Sequence, residues 1–246
     1  MKAIRKLLHK MLGLKGYLGF ISRWYIRMIK WGMLKRKYPE IHYLKTLIRP
    51  DYICVDIGAN LGYYSSVLAR TASRGRVHAV EPIPLFADIW YRNMRRFSNA
   101  EMHCCALGEE EGTVKMEIPM RNGIVRHGLT KISGSEESAQ DDVAYSFEVA
   151  MRRGDDVFAD LERVDYLKCD VEGYERYVIA SLNSFIRNHL PIIQIELNGE
   201  ENRADVYHQL TKLGYRAHVL AENELVKIDE DQLQKYDQDF YFLHFS

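Results

Sequence analysis

The sequence predicts an α/β fold: a doubly wound, mostly parallel sheet with helices on both faces. Three observations predict it. Short apolar runs alternate with longer stretches whose apolar residues recur at helical spacing. The first run, from Tyr52, leads into Val55-Asp56-Ile57-Gly58-Ala59-Asn60-Leu61-Gly62, an acidic strand end followed by a small-residue turn. A second acidic residue, Glu81, closes the next run 25 positions after Asp56. Sheets of this kind bind nucleotides in a crevice outside the carboxyl ends of their strands.

Taken in order, residues 2–36 are helical by period. Ile4, Leu7, Leu8, Met11 and Leu12 form one apolar stripe. Tyr17, Ile21, Trp24, Tyr25 and Met28 form a second after a glycine-rich break near 13–16. Lysines and arginines take the other faces, with Trp24 and Trp31 among them. That describes a helix lying on an anionic membrane surface, and a helical cover packed on the sheet is the alternative. Residues 1–49 are accordingly set apart as a basic amphipathic arm, and 50–246 as the α/β domain.

From Pro50, strands are expected at 52–56, 76–80, 101–105, 164–169 and 191–197, with helices at 62–72, 84–97, 174–188 and 202–213. In the 174–188 stretch, Tyr174, Tyr177, Val178, Leu182, Phe185 and Ile186 share one face. Gly214 can stop the helix before it, and a hairpin of about 215–220 with 239–245 closes the sheet. An insertion at about 113–150 separates the third and fourth parallel strands. Its 114–118 and 144–150 segments alternate like paired strands, and the polar, glycine-rich 119–142 between them is read as a mobile loop or substrate lid.

The turn itself selects a ligand. A pyrophosphate cradle needs Gly-x-Gly-x-x-Gly, whereas this turn is Gly58-x-x-x-Gly62, and no P-loop lysine is present. An aspartate ahead of such a turn suits a cation with an aminocarboxylate tail, S-adenosylmethionine (SAM). Gly58, Ala59, Asn60 and Ser65 then line its methionine end, and Asp56 fixes the turn or reaches the ammonium. Glu81, at the end of the second strand, can take both ribose hydroxyls.

Three blocks carry a family resemblance: Asp56 through Ser65, Glu81-Pro82, and Lys168-Cys169-Asp170-Val171-Glu172-Gly173-Tyr174-Glu175. Together with Ala106-Leu107-Gly108 and Gly154-Asp155-Asp156, they resemble the FkbM family of SAM-dependent O-methyltransferases, from about residue 51 to 197 and more loosely to 246. The Lys-x-Asp-x-Glu-Gly-x-Glu block is its most specific piece. The resemblance implies a seven-stranded Rossmann-like methyltransferase sheet. It also implies a hydroxyl acceptor on a sugar of a surface polysaccharide, glycolipid or glycosylated metabolite. By position it adds Gly62, Tyr64, Pro82 and Asp170 to the cofactor contacts, with Ala106 and Leu107 at the adenine edge.

Asp170, Glu172 and Glu175 lie at and just beyond the fourth strand end, and Glu196 ends the strand beside it. Converging carboxylates repel unless one is protonated or a cation sits among them. Asp170 can be the general base for the acceptor hydroxyl. Alternatively Asp170, Glu172 and Glu196 hold Mg²⁺ or Mn²⁺. In the third reading Lys168 and nearby arginines pair them, and Glu175 simply starts the next helix. His127, in the lid, is a further candidate base.

A net charge of zero hides an asymmetry: residues 1–50 hold 13 Lys/Arg and only Glu40 as an acid, while the other 196 hold 21 and 33. An acidic body disfavours nucleic acid as the main partner. Cys54, Cys104, Cys105 and Cys169 all fall in expected strands without metal-like spacing, so they read as buried free thiols. No apolar run is long enough to span a bilayer, and Lys10, Lys15 and Arg23 interrupt any signal-peptide core. A cytoplasmic protein is expected, free or resting on the inner membrane face. RNA or protein methylation is the rival activity, although no Asn/Asp-Pro-Pro-Tyr follows the fourth strand. A non-catalytic membrane adaptor on the same fold is the rival from outside enzymes.

Overall fold

A computed structural model of the chain describes residues 2–121, 124–125, 131–132 and 142–245. Helix α1 (Lys2–Lys30) is broken at Gly13, whose φ of 64° and ψ of 175° are not helical, and α2 (Pro39–Leu47) follows. Then come β1 (Ile53–Ile57), α3 (Tyr63–Thr71), β2 (Arg76–Val80), α4 (Pro84–Met94) and β3 (Ala100–His103). Ahead of the insertion lies β4 (Ala106–Leu107), and the insertion is built on β5 (Gly112–Arg121), β6 (Ile124–Val125), β7 (Lys131–Ile132) and β8 (Asp142–Arg152). The chain continues with α5 (Gly154–Val157), β9 (Tyr166–Cys169), α6 (Glu175–Ser181), α7 (Asn183–His189), β10 (Ile192–Ile195) and α8 (Glu200–Lys212). It ends with β11 (Tyr215–Ala221), β12 (Glu224–Lys227), a 3-10 turn at Glu230–Lys235 and β13 (Phe240–His244).

The main sheet runs β12-β11-β13-β10-β9-β1-β2-β3. The five strands from β10 to β3 are parallel, and β13, β11 and β12 are antiparallel. Strand order reverses between β1 and β9, the switch point at which open α/β sheets bind ligands. Strand β9 (YLKC), covered on both faces, is buried along its whole length, Lys168 included. Pairing puts Asp56 opposite Lys168, and Lys168 opposite Gln194, so one polar row crosses the sheet centre on one face.

The sheet has eight strands rather than the expected seven, because Glu224–Lys227 pairs along β11 as an added edge. The 113–150 insertion is more than a hairpin. Strand β8 pairs with β5 from Gly112↔Met151 to Met120↔Asp142, with an irregularity at Ile118/Pro119, where proline has no N–H to donate. Strands β4, β6 and β7 join it to form a separate small sheet. The helix expected over 174–188 is two helices. Asp155 accepts the backbone N–H groups of Ser184 (3.3 Å) and Phe185 (2.8 Å) and so starts α7 afresh. The third strand stops at His103, because the chain turns so that Ala106 and Leu107 can pair with β8. Cys104 is therefore exposed, while Cys54, Cys105 and Cys169 are buried as expected.

The boundary drawn at residue 49 does not survive in space. Leu14, Tyr17 and Leu18 pack with Leu61, Ile83, Phe86, Ile89 and Ile118. Ile29, Ile41, Leu44 and Ile48 enter a second cluster with Cys54, Leu68, Val77 and Trp90. Each such fully buried aliphatic chain stabilises by about 1.5–3 kcal/mol, so residues 14–48 are an integral cover. The buried stripe is also rotated from the expected one: Ile26 and Ile29 face inward, and Trp24 faces solvent. No helix among the described residues is long and apolar enough to cross a membrane.

Candidate active site

The turn after β1 is held by its backbone N–H groups to the end of β2 and to the Glu81 side chain. Gly58 N–H and Ala59 N–H donate to the Val80 carbonyl (3.0 and 2.9 Å). Asn60 N–H and Ile83 N–H donate to the two carboxylate oxygens of Glu81 (2.8 and 2.9 Å). Both oxygens keep lone pairs for further donors. Glu81 is only 4 % exposed, and burial pushes its carboxyl up to about 7 against those two backbone bonds. Gly58 has φ +77°, and a Cβ there would lie 1.8 Å from the Asp170 carbonyl oxygen. The first and fourth strand ends therefore touch through backbone, and only glycine fits between them.

Behind the turn, Trp90 Nε1–H donates to Ser65 Oγ (2.8 Å), which donates to Asp56 Oδ2 (2.5 Å). Asp56 is buried, which raises its pKa although Lys168 opposes this. Its Oδ1 is buried and meets no hydrogen-bond partner among the described residues. An orphaned buried acceptor costs about 1–3 kcal/mol, so it is a position that a ligand cation or N–H can relieve.

Lys168, 2 % exposed, lies in the middle of the polar row and donates to Asp170 Oδ2 at 2.8 Å. Burial alone would pull its pKa down; Asp170, Asp239 and Asp56 outweigh that and hold it up. Its Nζ also sits 4.4 Å from the centre of the Tyr64 ring. Tyr64 O–H donates to Asp239 Oδ2 (3.4 Å). Gln194 Nε2 donates to Asp239 (2.5 Å), and Tyr166 O–H donates to Gln194 Oε1 (2.6 Å). Tyr64 and Ser65 thus support the site from behind. Asp239, Gln194 and Trp90 were not anticipated. The readable signal was Lys168 itself, since a lysine in a strand buried on both faces needs carboxylates nearby.

The acidic cluster separates into three roles. Asp170 is ion-paired, as the third reading supposed. Glu175 is 1 % exposed and clamps the loop ahead of α6: Val171 and Gly173 N–H donate to Oε1, and Asn202 Nδ2 donates to Oε2. Glu196, half-buried beside Asp170, has its carboxyl pushed up to about 7 by burial first and by Asp170 and Asp239 next. Glu172 stands in the β9–α6 loop with φ +54°.

The proposed metal set of Asp170, Glu172 and Glu196 is not brought together as ligands, because the Lys168 ammonium already takes the cation place beside Asp170. Among the described residues the group whose ligand atoms lie within 4.8 Å of one another is His78, Glu101 and His103, on β2 and β3. His127 lies outside the described residues. Ala106 and Leu107 are buried in β4, immediately after β3, and Pro82 follows Glu81 half-buried.

The donor set fits SAM: a carboxylate anchored for two hydroxyls, an orphaned acidic oxygen beside the turn, and a glycine turn in contact with the fourth strand end. The Methyltransferase FkbM domain model matches residues 56–217. Methyltransferase sdnD of Sordaria araneosa is 27 % identical over 154 residues, 52 % of this chain and 60 % of that protein. Methyltransferase 1 of Beauveria bassiana is 26 % identical over 155 residues, 54 % and 59 %. The matches thus span about three fifths of these relatives' length. The crystal structure of the FkbM methyltransferase from Methylobacillus flagellatus KT shares the fold, with a TM-score of 0.54 and 16 % identity over 79 % of this chain and 44 % of that one. The chain shares the fold of the FkbM methyltransferase structure, and by the match over residues 56–217 it belongs to the FkbM methyltransferase domain family.

Proposed function

We propose that the protein is a SAM-dependent O-methyltransferase acting on a hydroxyl, with a sugar as the acceptor class. The observation that carries the reading is the Glu81 carboxylate, buried and aimed by Asn60 and Ile83 N–H at the turn after β1. When bound, SAM supplies an electrophilic methyl on a sulfonium. Glu81 would accept from its ribose hydroxyls, and Asp56 Oδ1, which has no partner among the described residues, would take its amino group. A sugar hydroxyl is a weak nucleophile while it keeps its proton, so a base must stand at the acceptor side. Glu196, with its carboxyl near 7, takes that proton; Asp170, fixed by Lys168, hydrogen-bonds the acceptor and orients it. Holding the two reactants in line can supply about 7–11 kcal/mol of barrier lowering.

The sugar class rests on the family resemblance, and the acidic pocket suits it, because carboxylates accept from hydroxyl groups. A panel of glycan and glycolipid acceptors incubated with methyl-labelled SAM tests it. Label on a sugar oxygen is the expected result. Label on RNA or protein, with none on any hydroxyl acceptor, overturns the reading.

A further inference from the structure

We propose that the solvent face of α1 docks this protein on an anionic lipid bilayer. After Gly13 the helix has two unlike sides. Leu14, Leu18, Ser22, Ile26 and Ile29 are buried against the domain. Phe20, Trp24 and Trp31 are 49, 50 and 69 % exposed on the opposite side. Positions 20, 24 and 27 share one line along the helix, and Trp31, the first residue after α1, continues it through its N–H to the Arg27 carbonyl (3.1 Å), so Arg27 lies among these aromatic residues, with Arg23 and Lys30 flanking. All three basic residues are exposed. Met11, Leu12 and Met33 add further exposed apolar surface at either end.

The outer face of a helix packed on a globular domain is ordinarily polar. Large amphipathic rings interleaved with cations are the composition of a surface that sits at headgroup level, rings among the upper acyl chains and cations on lipid phosphates. Charge supports that occupant: residues 1–50 carry 13 Lys/Arg against Glu40, on a body with 33 acids and 21 bases. A negatively charged surface therefore attracts this side and repels the rest, which fixes one orientation. The orientation places the site usefully. Leu14, Tyr17 and Leu18 pack on Leu61 and Ile83, in the turns after β1 and β2, and on Ile118 of β5. The docked helix thus packs directly behind the two turns of the proposed cofactor site and would hold that site beside an acceptor anchored in the bilayer. That last step rests on the reading of the cleft given above; the docking does not.

The chain's own tryptophans report the contact. Two of its three, Trp24 and Trp31, are on this face, and Trp90 is 1 % exposed inside the domain. The full chain is mixed with phosphatidylcholine vesicles, with and without phosphatidylglycerol, and followed by co-sedimentation and by quenching from brominated acyl chains. Binding and quenching are expected only with phosphatidylglycerol present. Trp24→Ser with Trp31→Ser should abolish quenching and weaken binding. Arg23→Glu, Arg27→Glu and Lys30→Glu together should weaken binding about tenfold or more. Unchanged thermal unfolding of each variant shows that the fold is intact. No sedimentation of the wild type, binding without quenching, equal binding by the charge variant, or binding to RNA in place of vesicles each overturns the proposal. Loss of SAM binding with vesicle binding retained would count against the cleft and leave the docking standing.

Discussion

Replacing Glu81 by Gln tests the cofactor pocket at one atom pair. In the unliganded protein each Glu81 oxygen accepts one backbone N–H, from Asn60 and from Ile83. Glutamine has one acceptor oxygen and one donor NH₂, so one of those N–H groups loses its partner. That loss is present with and without ligand and lowers thermal stability while cancelling from the binding energy. What binding loses is one charge-assisted hydrogen bond to a ribose hydroxyl, about 1.5–3 kcal/mol, or roughly tenfold to 150-fold in Kd. Titration calorimetry with SAM at pH 8 measures it.

The pH dependence adds a second reading of the same carboxyl. Burial raises it from an ordinary 4.5 to about 7, so the unliganded folded state holds a proton that the unfolded chain has released between those values. Its contribution to stability is present below 4.5 and is lost as pH rises through about 7. Wild-type SAM affinity should strengthen from pH 6 to 8 as the carboxylate forms, and Glu81→Gln should lack that slope. A variant that binds within about threefold of wild type at pH 8 would refute the reasoning.

Glu196→Gln should lower kcat by about 10²–10⁴-fold with SAM affinity unchanged, read by stopped assays and calorimetry. Wild-type kcat should rise with pH through about 7, because the proton acceptor must be ionised to act. Lys168→Met removes the cation among Asp56, Asp170 and Asp239 and should cost about 3–5 kcal/mol in denaturant unfolding. That loss should be smaller at pH 5 than at pH 8, since burial raises the Asp56 and Asp239 carboxyls toward protonation. Gly58→Ala places a Cβ 1.8 Å from the Asp170 carbonyl at φ +77°, and should cost about 2–5 kcal/mol in thermal unfolding.

The parallel core and the cofactor turn were legible because both are written in local chemistry. A strand buried on both faces must be apolar except where its polar groups are paired, and a turn pressed against the Asp170 carbonyl must have glycine at 58. Element ends were less legible where a distant partner sets them. Nothing local in 174–188 announces that Asp155 will restart the helix at Asn183. Edge strand β12, Glu224–Lys227, is short and mostly exposed, and its two apolar residues, Leu225 and Val226, are adjacent and so give no alternation. The α1 stripe was misread by register: Tyr17 does pack on the domain, but Trp24 faces solvent and Leu14, Leu18, Ile26 and Ile29 complete the buried side. Within the acidic cluster, residue types named the candidates, but only three-dimensional partners separate clamp (Glu175), ion pair (Asp170) and raised carboxyl (Glu196).

The most direct test is a crystal structure of the protein grown with S-adenosylhomocysteine. The account predicts its ribose hydroxyls within hydrogen-bond distance of Glu81, its amino group toward Asp56 Oδ1, and its sulfur directed to the side holding Asp170 and Glu196. Density for the ligand at another place on the sheet, or a ribose turned away from Glu81, would contradict it.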